Sequence, residues 1–229
     1  MYVMKIIVAV LEIQNSGNHG AIARVMKNFD LNDLVLINPK CEINQEAMDR
    51  ASHAKNILKK AKIKDFSYLK KFDYVVGTSA KVGNNYNIPR TPLPIGKLKG
   101  KNVVILLGRE DHGLNNKEIE MCDLIITIPS SKKYPTLNVS HAAAIIFYEL
   151  FQNSKNLKST SHFNYATRKD RGVLLNLINQ SLKNLPFSTK GKKQTQEKAW
   201  KSFVNKAFLT RREIFNLCGY FSKIKKLKK

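Results

Sequence analysis

The 229-residue sequence is poor in acid and in cysteine, and it has no long apolar run. No stretch is apolar enough to span a bilayer, and the opening MYVMKIIVAVLEI carries neither the charged leader nor the cleavage site of a secretory signal, so a cytoplasmic protein is expected. Cys41, Cys122 and Cys218 lie far apart and form no CxxC pair, which argues against a disulfide framework or a zinc site. His19, His53, His112, His141 and His162 include no pair at metal-ligand spacing, so a site without metal is expected. No G-x-G-x-x-G turn, full P-loop or G-x-S-x-G elbow occurs, and GNHG at 17–20 has only G-x-x-G spacing. Dinucleotide binding and serine-nucleophile chemistry are therefore disfavoured.

What is abundant is positive charge. Forty Lys and Arg against 17 Asp and Glu give a formal +23, an excess that calls for a polyanion: nucleic acid first, an anionic membrane surface second. General lysine enrichment would give the same total, but not the same distribution. Residues 1–155 hold 22 basic and 14 acidic residues, whereas 156–229 hold 18 and 3. The last third of the chain reads as a polyanion-binding element. Its aromatic stripes are better explained by packing than by a membrane, so no membrane partner is expected.

The apolar fraction of 43% is that of a globular protein, and the pattern divides it. IIVAVL (6–11), LVLI (34–37), YVVG (74–77), VVILLG (103–108) and LIITI (124–128) are continuously apolar, as strands covered on both faces are. Helix-like stretches begin near Asn18, Gln45, Asn115 and Asn138, and this alternation predicts an α/β domain over 1–155 with a parallel sheet. A polar linker is expected over 156–170 and a small all-α basic extension over 171–229. Its helical stripes are Leu174, Leu175, Ile178 and Leu182; Trp200, Phe203, Val204 and Phe208; and Ile214, Leu217 and Phe221.

Ligands of open parallel sheets bind beyond the carboxyl ends of the strands, which directs attention to three loops: GTSAKVGNN (77–85), GREDHGL (108–114) and IPSSKKYPTLNVS (128–140). Gly108 and Gly113 permit a tight turn around Arg109, Glu110 and Asp111. Taken alone, Glu110 reads more readily as an exposed carboxylate or the partner of an internal arginine than as a catalytic group. Asn138 or Ser140 can cap the following helix, a role compatible with ligand binding. An enzyme or binding protein acting on RNA or DNA is the reading these residues support unaided.

NHGAIARVMKNF, LLGREDHGL and IPSSKKYPTLNVSHAAA, in this order and spacing, resemble the three signature motifs of the SpoU, or TrmH-like, branch of the SPOUT RNA methyltransferases. The resemblance is close over 5–152 and weaker beyond, where KAFLTRREIFNLCGYFSKI is similar to a helical extension found in tRNA 2'-O-methyltransferases of this branch. It implies a SPOUT fold whose C-terminal part threads into a deep trefoil knot, against the general avoidance of knots. It further implies a homodimer, S-adenosylmethionine as methyl donor, and tRNA as acceptor at the ribose of anticodon-loop nucleotide 32. By position, Thr78, Ser79, Ala80, Gly108, Ile128, Thr136, Leu137 and Asn138 would bind the cofactor. Asn18, Arg24, Glu110, Asn138 and Ser140 match the catalytic set, Arg24 being expected to contact the RNA phosphate and the 2'-hydroxyl. Thr136 stands where the family usually has Ser; His112 and His141 replace small or polar residues. Alternatives are a SpoU-type enzyme acting on another tRNA or rRNA nucleotide, and a catalytically silent RNA-binding protein.

Overall fold

A computed structural model describes residues 4–80, 91–156 and 164–226, with no side chain described at 154–156. Residues 81–85 of the first candidate loop and most of the expected linker (157–163) lie outside the described residues. Six strands, β1 (Lys5–Leu11), β2 (Leu34–Ile37), β3 (Lys62–Lys64), β4 (Tyr74–Thr78), β5 (Asn102–Leu107) and β6 (Leu124–Ile126), form one sheet in the order β3-β2-β1-β5-β4-β6. Every pairing is parallel. The continuous apolar runs are continuous because both faces are covered: all four residues of β2 are buried, as are Val103 to Leu107 in β5. β3 was not expected. It is three residues long, KIK, fully exposed, and an edge strand whose lysines discourage further pairing.

On one face Val8, Val10, Val76, Ile105 and Leu107 pack against α1 (Ser16–Asn28), α2 (Gln45–Ala51), α3 (Lys55–Lys59) and α5 (Val139–Asn156). On the other, Ala9, Leu11, Val75, Val104 and Leu106 meet Leu69, Phe72 and residues Ile119 and Cys122 at α4 (Asn116–Met121). The order reverses between β1 and β5, which places a crevice at their carboxyl ends.

The C-terminal helices α6 (Arg168–Lys183), α7 (Lys190–Lys206) and α8 (Arg211–Ile224) bury Leu174, Ile178, Leu182, Val204, Ile214 and Phe221 among themselves. Two residues of the second expected stripe depart from it. Phe203 is 60% exposed, and Phe208, with φ +47, turns out of the helix to pack its ring on Tyr74 in the main core, centroids 5.4 Å apart. The helix α6 also starts inside the expected linker, because Thr167 and Asp170 form a capping box that outweighs the polar composition around them. Among the described residues no helix is long and apolar enough to cross a membrane.

These helices are fastened to the sheet by two arginines. Arg171, 2% exposed, donates from Nε to Asn205 Oδ1 (3.1 Å), from one terminal nitrogen to Ala166 O (3.1 Å) and from the other to Asp73 O. Its guanidinium also lies 3.7 Å from the centroid of the Tyr74 ring. Burial pushes the Tyr74 phenol up to about 12, with Arg171 pulling in the opposite direction. Arg168 pairs with Asp123 and donates to Phe72 O at 2.7 Å. Arg171→Met removes the three donors but keeps the stem, leaving buried oxygens unpaired; a loss of about 3 kcal/mol is expected in denaturant unfolding. A loss below about 1 kcal/mol would show that this clamp is not what holds the module.

Candidate active site

The loops after β4, β5 and β6 enclose a cavity of about 400 Å3 beyond the strands' carboxyl ends. Thr78, Ser79 and Ala80 form one wall, Leu107 to Leu114 a second, and Ile126, Ile128 and Pro135 to Leu137 a third, with Val139, Ala142 and Ile146 of α5 beneath. Of the eight residues expected to bind a cofactor, Thr78, Ser79, Ala80, Gly108, Ile128, Thr136 and Leu137 line this cavity; Asn138 does not. Thr78 is held by its hydroxyl, which donates to Leu106 O at 3.2 Å, and the Ser79 amide donates to Ile126 O at 3.1 Å. The cavity thus has apolar side chains on its walls and turn backbone between them, a composition suited to a flat heteroaromatic ring with polar edges.

The 108–114 loop closes on itself. Arg109 and Gly113 exchange backbone bonds of 3.4 and 3.2 Å, Gly113 takes φ +66, and a Cβ on Gly108 would stand 2.5 Å from the Gly113 carbonyl carbon. Arg109 then turns inward and is 9% exposed. Its two terminal nitrogens fork onto Glu118 at 3.0 and 2.7 Å, and its Nε reaches Glu12 at 2.9 Å. Hydrogen bonds that Arg109 donates to Glu118 and then Glu12 raise its pKa, although burial opposes them. Arg109 consequently ties the exit of β1, the cavity loop and the start of α4 together. Sequence reasoning noted the charge cluster but not this role; the usable signal was an arginine directly after a buried strand and a Glu three residues past the Asn115 cap.

Glu110 points the other way, and neither of its expected ordinary roles is what the structure gives it. Its carboxylate accepts from the amides of Gln14 (3.2 and 3.1 Å) and Asn15 (3.1 Å) and from Asn18 Nδ2 (3.0 Å). It sits at the N-terminus of α1, where donors are unpaired and the helix dipole favours an anion. Asn18 and Glu110 are thereby brought together, with Glu110 on the cavity wall and Asn18 behind it. Beside them His19 is 1% exposed and lowered in pKa by burial, an effect that Glu110 partly offsets.

The remaining members of the expected catalytic set stand apart. Asn138 Oδ1 accepts from Ser140 N (2.8 Å) and Ser140 Oγ (2.7 Å), which makes Asn138 the cap of α5 and occupies the Ser140 hydroxyl. Arg24 is exposed on α1, does not line the cavity, and makes no hydrogen bond or ion pair among the described residues. Of the two histidine departures noted in sequence, His112 lies on the cavity rim with Nδ1 2.6 Å from Asp111, while His141 is exposed on α5.

Residues 5–148 match the model of the SpoU rRNA Methylase family. The chain is 35% identical over 228 residues, 96% of its length and 99% of the relative's, to the tRNA (cytidine-2'-O-)-methyltransferase TrmJ of Methanocaldococcus jannaschii. Its fold is shared with the crystal structure of TrmJ from Z. mobilis ZM4, with a TM-score of 0.67 and 24% identity over 96% of this chain and 99% of that one. It is also shared with an AdoMet-bound rRNA methyltransferase from Sinorhizobium meliloti, at TM-score 0.53 and 20% identity, covering 67% of this chain and 57% of that one.

Burial raises the Glu118 pKa, but the Arg109 fork and the Asn115 amide outweigh it and hold the carboxyl below its ordinary 4.5. Stability from this group is therefore present above 4.5 and lost as pH falls through the folded value. Glu118→Gln is expected to cost about 3 kcal/mol at neutral pH. In denaturant titrations its deficit should shrink as pH falls below 4.5, once the native carboxyl also takes up a proton. A deficit independent of pH would assign the loss to packing.

Proposed function

This chain belongs to the SpoU rRNA Methylase family, and from that premise we propose that it transfers a methyl group from S-adenosylmethionine to a ribose 2'-hydroxyl of tRNA, at anticodon-loop nucleotide 32. The observation that carries the reading is the convergence of the β4, β5 and β6 loops, two of them signature motifs, on one cavity tied through Glu110 to the Asn18 helix that carries the third. The relative named for cytidine 2'-O-methylation of tRNA, similar over nearly the whole chain, supports the choice of acceptor.

The residues present suit the donor. Adenine fits an apolar slot between Ile128 and Leu137 closed by turn backbone, and about 400 Å3 lies within the ordinary range for a small-molecule site. Thr78, Ser79 and Thr136 add hydroxyls for polar edges. When bound, S-adenosylmethionine supplies an electrophilic methyl group. The chain's task is to align the 2'-oxygen with that carbon, so that the O–C bond forms as the C–S bond breaks, and to ease loss of the hydroxyl proton. Arg24, exposed and unpaired, is free to engage an RNA phosphate and the 2'-oxygen; its guanidinium lowers the cost of a developing alkoxide without itself accepting the proton. Glu110 and Asn138 act on the ends of α1 and α5, holding the segments that present Arg24 and the third loop.

The finer architecture follows the same reading. The return of the chain from edge strand β6 through the cavity wall to α5, packed on α1, supports a deep trefoil knot. Ile145 (40% exposed) and Tyr148 (48%) on α5 offer an apolar strip that a second copy covers in a homodimer. The 171–229 helices serve as the basic RNA-binding extension, docked on the sheet, and the enzyme works where tRNA is, in the cytoplasm.

Incubation with S-adenosylmethionine and unmodified tRNA, followed by mass-spectrometric mapping, is expected to place one methyl on the ribose of nucleotide 32. Base methylation, or no product, would overturn the reading. Arg24→Ala is expected to lower methyl transfer by roughly 100-fold or more with melting temperature and cofactor affinity unchanged, because the side chain supports neither the core nor the cavity. A rate near that of the parent removes Arg24 from the chemistry.

A further inference from the structure

The helix α8 has more than one function written on it. Its inward side is complete: Ile214 and Phe221 are buried and Leu217 packs against them. The opposite side carries Arg211, Arg212, Phe215, Gly219 and Lys223, all exposed. Phe215 is 78% exposed, more than any other phenylalanine among the described residues, and nothing in the fold needs it there.

Its surroundings are chemically uniform. At helical spacing Arg211 and Arg212 stand one turn before Phe215, Gly219 one turn after it, and Lys223 one turn further. Arg211 reaches Asp170 at 3.2 Å; Arg212 and Lys223 have no ion-pair partner among the described residues. The nearest carboxylate on the helix, Glu213, is turned back to its own cap, accepting from Thr210 N at 2.7 Å. Gly219 lowers helix propensity with no packing reason, since a Cβ there would meet nothing within 4 Å. The helix surface one turn past Phe215 is therefore open.

We propose that Phe215 is a stacking platform for an unpaired base of the RNA substrate, with Arg212 and Lys223 contacting the phosphates on either side of that base. The proposal rests on the reading of the chain as a tRNA methyltransferase. Duplex RNA hides its base faces, whereas loops offer them to aromatic side chains. Charge selects RNA over protein: the face has no free carboxylate, lies in a segment of 18 basic and 3 acidic residues, and would repel a second copy of itself.

The full-length chain tests this by fluorescence anisotropy with a tRNA transcript and with a fully paired RNA of equal length, alongside methyl-transfer kinetics. Phe215→Ala is expected to weaken binding of the transcript roughly 5- to 100-fold and to raise KM for tRNA with kcat, cofactor affinity, melting temperature and elution volume unchanged. Phe215→Tyr, which keeps the ring, should bind as the parent does, and Phe215→Leu, which keeps only apolar bulk, should not. The paired RNA should be insensitive to all three. Parental binding by Phe215→Ala or Phe215→Leu overturns the proposal, as does a changed elution volume, which would make the ring a protein contact. A parent chain that binds tRNA through Phe215 but methylates none of it would sink the catalytic reading and leave this one standing.

Discussion

Two consecutive side chains of opposite charge at the exit of β5 govern the rest of the site. A strand alternates its side chains, and where the strand ends Arg109 continues into the protein while Glu110 continues across the crevice to α1. Arg109, bonded to Glu12 and Glu118, keeps the turn closed from below; Glu110, bonded to the amides of Gln14 and Asn15, fixes the first turn of α1 from the side. Together they make the crevice between β1 and β5 into one rigid piece, and the cavity under the β4, β5 and β6 loops inherits its shape from that piece. Placing two ionised groups at a half-buried site is expensive unless each is fully bonded, and here each is.

The same economy recurs at the other end of the sheet. Arg171 is fully buried with neutral oxygens and an aromatic face around it, and Arg168 pairs with Asp123 beside it. Two arginines of a strongly basic segment are thus withdrawn from solvent to fasten it, and the remaining cations face outward. The helical extension is held in a fixed relation to β4 and β6, the strands whose carboxyl ends border the cavity. The exposed face of α8 is accordingly fixed relative to the cavity.

Much of the framework was legible in the sequence because burial on both faces leaves an unambiguous mark. Four of the five apolar runs are the interior strands and the fifth is the buried edge strand β6, and the helix starts read near Gln45 and Asn115 fall at the Asn44 and Asn115 caps. β3 left no mark, since KIK at an edge buries nothing. Phe208 was misplaced because helical spacing continues through Ala207 while the backbone does not: it turns into the main core through a left-handed φ, whereas Phe203 stays within α7 on its exposed side. At the site, the cavity-lining residues were legible from loop position and family motif together. Most of the bonding of Glu110 was not, because besides the Asn18 side chain its partners are backbone amides 95 and 96 residues away, which have no sequence identity to be read.

Asn138 and Ser140 show how far a residue's role can be shared between folding and chemistry. As the cap of α5, Asn138 fixes where that helix begins, and the helix supplies Val139, Ala142 and Ile146 to the cavity floor. A cap that slipped by one residue would rotate these side chains by about 100 degrees and close or open the floor. The shape of the cavity floor therefore depends on the Asn138 cap, although Asn138 itself does not line the cavity. Arg24 is the converse. Among the described residues it supports no neighbour and lines no wall, and its guanidinium lies open on the surface of α1.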